Sequence, residues 1–136
     1  MKATELMIGD LIKIKGHLDY DKVQEIARDE NMQWYISFAC SATLFRAYEF
    51  EPIPLTPEIL EKNGFGFVKS SDKDTVWNGW WINKGLELAT ACLDKEGNWP
   101  CYINIYDSNI KCEYVHQLQH ALRLCGLDEL ADNFKV

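Results

Sequence analysis

The chain has 136 residues, 47% of them hydrophobic and 12% aromatic, with 21 acidic against 14 basic side chains and a net charge of −7. That is enough apolar material for one core or two small lobes sharing one, and it argues against a disordered chain. The acidity is spread, with nine acids and six bases in 1–55 and twelve and eight in 56–136, so no basic stripe is available for duplex nucleic acid.

The opening stretch "MKATELMIGDLIKIKG" lacks the apolar run and cleavage site of a secretory leader, and no run in the chain is long enough to span a bilayer. The expectation is a cytoplasmic protein with no membrane partner. Four short β-rich runs follow one another to residue 55: "GDLIKIKG", "DKVQEIARD", "MQWYISFACS" and "TLFRAYEFEPIPL". Turn residues separate them, as in a small curled antiparallel sheet. We expect residues 1–55 to form a β-rich, SH3-like lobe, whose short strands curl to protect their edges.

"LTPEILEKNG" carries the clearest local signal. Thr56 suits a helix N-cap, Pro57 the first helical position, Glu58 the positive helix end and Gly64 the left-handed position after the last turn. Beyond it, "FGFVKS", "TVWNGWWIN", "LELATACLD" and "WPCYINIYD" read as four strands of an antiparallel meander, divided by "SDKD", "NKG" and "KEGN". A hairpin closed over Lys95–Asn98 would set Asp94 opposite Trp99 and Cys92 opposite Cys101, which leaves two thiols in contact or a bridge between them. A C-terminal helix then runs to Gly126, and Asp128 can cap a last short turn. The expected class is α+β: the SH3-like lobe, then residues 56–136 as helix, antiparallel β-meander and C-terminal helix, the two lobes forming one cooperative unit because so short a lobe is marginal alone.

"EYVHQLQHALRLCG" places His116 and His120 one helical turn apart, one residue from the zinc-protease signature H-E-x-x-H. At 100° per residue Val115, Leu118, Ala121, Leu122 and Cys125 form the core face, and both histidines fall nearly opposite, toward solvent. The position of the catalytic glutamate holds Gln117, an amide that cannot relay a proton. His17 is the one other histidine and lies far away in sequence. A metal-dependent hydrolase on His116 and His120 is therefore the weakest of the functional classes considered, and no metal is expected.

"IPLTPEILEKNGF" and "YVHQLQHALRLCGL" resemble segments of small uncharacterised proteins of Bacteroides-type gut bacteria and their phages and mobile elements. The resemblance covers about a fifth of the chain. It implies a cytoplasmic accessory protein carried by a phage, and it brings no catalytic residues.

Two further constellations can carry binding. Trp77, Trp80 and Trp81 fall within five residues, and on a strand Trp77 and Trp81 share the face opposite Val76, Trp80 and Ile82. Two indoles beside Gly79 can stack on a base; both faces of the sheet being covered is the competing reading. Arg46, in "TLFRAYEF", can clamp a phosphate or carboxylate, or pair with Glu49 or Glu51. Lys69 and Lys84 would add charge to the same groove.

No P-loop, G-x-G-x-x-G or G-x-S-x-G occurs, and no C-x-x-C pair, so no cofactor is expected. The expected function is non-enzymatic binding of a small anionic ligand. In a phage-associated protein that role would be sequestration of a nucleotide signal as counter-defence, through Trp77, Trp81, Arg46, Lys84 and Lys69. The alternative is a protein-interaction module that inhibits or tethers a host protein, with the aromatics as hot spots. Either function is compatible with a homodimer.

Overall fold

The computed structural model describes residues 2–38, 41–46, 49–69, 78–82, 89–92, 101–105 and 108–136, with backbone alone at 41–43, 68–69, 78–82, 89–92, 101–105 and 108–110. The class is α+β, and the chain divides into two units, Met1–Ile53 and Pro54–Val136. Among the described residues no helix is long and apolar enough to cross a membrane.

The first unit begins with a single 3-10 turn, Ala3–Glu5, followed by β1 (Leu11–Ile14), β2 (Tyr20–Arg28), β3 (Trp34–Phe38), β4 (Ser41–Arg46) and β5 (Phe50–Glu51). They form one antiparallel sheet in the order β4-β3-β2-β1-β5. The run "TLFRAYEFEPIPL" thus splits between two strands at opposite sheet edges. Alternation along the strands sends Ile12, Val23, Ile36 and Phe38 into a core with Ala3, Leu6 and Phe50. Phe38 meets Phe45 and Phe50 edge-on at 5.5 Å each, an arrangement that suits the ring quadrupoles. Asp10 is buried at the start of β1, where its carboxylate accepts the Met7 N–H at 2.7 Å. The β2–β3 turn is tied by Asp29, which accepts from the Asn31 and Gln33 amides at 2.9 and 2.7 Å. Arg28 lies 4.1 Å over the Trp34 ring directly across the ladder.

The second unit opens on α1 (Pro57–Lys62). Thr56 caps it by accepting the Ile59 N–H, Pro57 starts it, and Gly64 leaves it at φ +82°, where a Cβ would be strained. Then come β6 (Gly66–Lys69), β7 (Asn78–Ile82), β8 (Ala89–Cys92), β9 (Cys101–Ile105) and β10 (Ser108–Cys112), an antiparallel meander in sequence order. β10 is a fifth strand beyond the four expected from the sequence. β10 leads into α2 (Val115–Leu124) and α3 (Asp128–Asp132). Leu127 rather than Asp128 occupies the cap position of α3, and Asp128 is its first helical residue.

The β8–β9 register also corrects the expected hairpin. Cys92 stands opposite Tyr102, and Cys101 stands opposite Cys112 of β10. A shift of one position moves every residue to the other face, so Cys92 and Cys101 lie on opposite faces of the sheet.

Leu55, Leu60, Phe65, Cys112, Val115, Leu118, Leu122, Ala131 and Phe134 are buried in this unit. The Leu55 N–H donates to the Glu113 carbonyl, joining the entry to α1 with the entry to α2. Gln119, fully buried on α2, donates from Nε2 to the Ala131 carbonyl at 2.8 Å and pins α3 to α2.

Candidate functional site

The helix that suggested a zinc site is built differently. His116 is 3% exposed, not solvent-facing as the helical wheel implied. Its ring stacks on Tyr114 at 5.9 Å and 7°, and meets the His120 ring edge-on at 5.9 Å. Tyr114 precedes the helix and folds over its first turn, a contact that no helical periodicity encodes.

Gln117 has a structural task. Its Oε1 accepts the Glu113 N–H at 2.7 Å and the Tyr114 N–H at 3.2 Å, satisfying donors at the helix start that would otherwise lack a partner. Among the described residues no group of three His, Cys, Asp or Glu side chains is placed to hold a metal ion.

Of the predicted ligand residues, Trp77 and Lys84 lie outside the described residues. Arg46 ends β4 in the first unit, opposite Tyr35, and is exposed. Its backbone N–H donates to the Glu49 carboxylate. Lys69 and Trp81 belong to adjacent strands of the second unit, but the register does not bring them together. Gly66 stands opposite Trp81, and Lys69 stands opposite Asn78. Lys69 therefore shares a face with Phe67, Asn78 and Trp80, and Trp81 lies on the other.

The register assembles a different set around Trp81. One row across all five strands runs Gly66, Trp81, Thr90, Asn104, Asn109. The next row on the same face runs Val68, Gly79, Cys92, Tyr102, Lys111. This face combines two aromatic positions, three polar positions, two glycines and a cation. The opposite face carries the apolar row Phe67, Trp80, Ala91, Ile103, Ile110.

Burial on β10 tells the faces apart. Cys112 is fully buried, whereas the neighbouring Lys111 side chain is 51% exposed and meets Glu113 at 2.8 Å. At the far edge of the apolar row Phe67 is half-exposed. Lys111, Tyr102, Asn104 and Asn109 are tied to Trp81 only by the register, and the alternation "YINIYDSNIK" is the one trace of them in the sequence.

A cleft of about 570 Å³ lies elsewhere in the second unit, lined by Lys62, Asn63, Leu127, Leu130, Asn133 and Lys135, with Glu129. Its two asparagine amides donate to backbone carbonyls, and its charged groups are of both signs. The chain matches no family model, no curated protein and no solved structure.

Proposed function

We propose that this chain is a non-enzymatic binding protein for a small ligand that joins a planar ring to an anionic group, a nucleotide being the class with that chemistry. The observation that carries the reading is the face of the second sheet that sets Trp81, Thr90, Asn104 and Asn109 in one row beside Tyr102 and Lys111. An indole or phenol stacks on a base whatever its sequence, worth about 1–3 kcal/mol per base. Amides and a hydroxyl supply both donors and acceptors for a base edge or a ribose. Lys111 supplies the positive charge. Its pairing with Glu113 is a half-exposed ion pair of the kind worth about 0–1 kcal/mol, which an incoming phosphate can replace. Gly66 and Gly79 allow close approach of a flat ligand to the backbone.

The five antiparallel strands of the first unit support the SH3-like reading of that lobe, and the resemblance to phage-associated proteins makes sequestration of a nucleotide signal the corresponding biological role. A thermal-shift panel of cyclic and linear nucleotides tests the binding. At a hundred times its dissociation constant a ligand adds about 2.7 kcal/mol, seen as a rise of several degrees. A panel with no shift, together with a stable protein partner in a pull-down, would overturn the proposal in favour of an interaction module.

A further inference from the structure

The β9–β10 ladder ends with Cys112 directly opposite Cys101. Opposed residues of antiparallel strands have Cα atoms about 4.5 or about 5.5 Å apart, depending on the kind of pair. A disulfide spans Cα separations of about 4.4–6.8 Å, and either kind of pair falls within that range. The two cysteines stand eleven positions apart in sequence, at the end of the ladder that leads into α2. Cys112 is free and fully buried.

We propose that Cys101 and Cys112 form a redox-responsive pair, which a peroxide converts into a cross-strand disulfide stapling β9 to β10. Burial pushes the Cys112 thiol up to about 12, so at neutral pH it stays protonated and the reaction starts on Cys101. The Cys101 thiolate attacks one peroxide oxygen, the O–O bond breaks, and the departing hydroxide takes a proton to become water. That leaves a sulfenic acid on Cys101. The Cys112 sulfur then attacks the Cys101 sulfur. The S–S bond forms, the S–O bond breaks, and the hydroxyl leaves with the Cys112 proton as a second water. Two thiols lose two electrons and two protons, and the peroxide is reduced to two waters.

The test uses the full chain, oxidised with hydrogen peroxide under native conditions, alkylated, digested without reductant and mapped by mass spectrometry. The expected product is a cross-linked peptide pair joining Cys101 to Cys112, lighter by two hydrogens than the separate peptides and released by dithiothreitol. It should be absent from Cys101→Ser and retained in Cys92→Ser, two variants assayed beside the native chain so that the result does not depend on any one of them folding. Recovery of Cys101 and Cys112 as separately alkylated or separately over-oxidised residues, or a bridge from Cys101 to another cysteine, would overturn the pairing.

Discussion

Asn63 grips the backbone of Lys135 from both sides, accepting its N–H at 2.8 Å and donating to its carbonyl at 2.7 Å, across 72 positions of sequence. The same amide nitrogen donates to the Ile59 carbonyl at 2.7 Å. One buried side chain thus closes the end of α1 and holds the segment after α3 against it. Asn63→Ala removes all three bonds and leaves their backbone partners short of one each. We expect a loss of about 2–3 kcal/mol, read as a lower urea midpoint with an unchanged slope. Asn63→Asp keeps the acceptor but loses both donations, so it should destabilise as well. An unchanged midpoint in both variants would show that the grip contributes nothing to stability.

What could be read from sequence follows the range of the interaction concerned. α1 was legible at both ends because Thr56, Pro57 and Gly64 act within a few residues of one another. The Cys92 register was not, because one position of slip between β8 and β9 changes its partner from Cys101 to Tyr102, and local composition does not distinguish the two. The face of α2 was half legible. Val115, Leu118, Ala121 and Leu122 are buried as the periodicity required. His116 and Gln119 widen the buried arc to about 220° at 100° per residue. Gln119 is enclosed by the docking of α3 and His116 is stacked on by Tyr114, and neither neighbour is encoded in the helix itself. The sequence pointed to Trp77, Trp81, Arg46, Lys84 and Lys69 for the ligand site, and among the described residues Trp81 is the one of these on the proposed ligand face, Trp77 and Lys84 lying outside them. Arg46 belongs to another unit, and the register moves Lys69 to the opposite face.

Gln117→Glu would recreate H-E-x-x-H in sequence without recreating its chemistry. A glutamate keeps an acceptor for the Glu113 and Tyr114 amides, and a negative charge in the first helical turn is favourable by about 0.3–1 kcal/mol. The variant should be as stable as the parent or slightly more so. It should carry no stoichiometric zinc after dialysis and cleave no peptide substrate, because His116 is buried against Tyr114. Metal analysis giving one zinc per chain would refute this reading of α2.

Acid should weaken the chain through two surface carboxylates. Desolvation alone would raise the Asp29 carboxyl, but hydrogen bonds from the Gln33 and Asn31 amides, with side-chain bonds to Tyr35 and Asn31, together hold it below its ordinary 3.8. Hydrogen bonds from its own amide and the Thr56 hydroxyl hold Glu58 below 4.5. Both folded values are depressed, so the folded state binds these protons more weakly than the unfolded one. Their contribution is complete above the ordinary values and is lost as pH falls through the depressed ones. Tm measured from pH 7 downward should stay level and then fall below about pH 4.5. Asp29→Asn should lower Tm at neutral pH and reduce the acid-dependent part of the fall. A parallel displacement of the whole curve would show that Asp29 acts by some means other than its charge.

The two lysines separate the two faces of the second sheet. Lys111 shares a face with Trp81, whereas Lys69 is on the opposite one. If an anionic ring compound binds beside Trp81, Lys111→Ala removes a charge-assisted contact worth about 1.5–3 kcal/mol, weakening affinity roughly tenfold to a hundredfold. Lys69→Ala should change it little, since its charge lies across the sheet. Trp81→Ala should abolish detectable stacking-dependent binding and leave the far-ultraviolet circular dichroism unchanged. Titration of the three variants with whichever nucleotide shifts the parent decides the matter. Equal losses from Lys69→Ala and Lys111→Ala would mean that the ligand reads net charge rather than a face. A loss confined to Lys69→Ala would move the site to the apolar row of Phe67 and Trp80, where Phe67 is half-exposed.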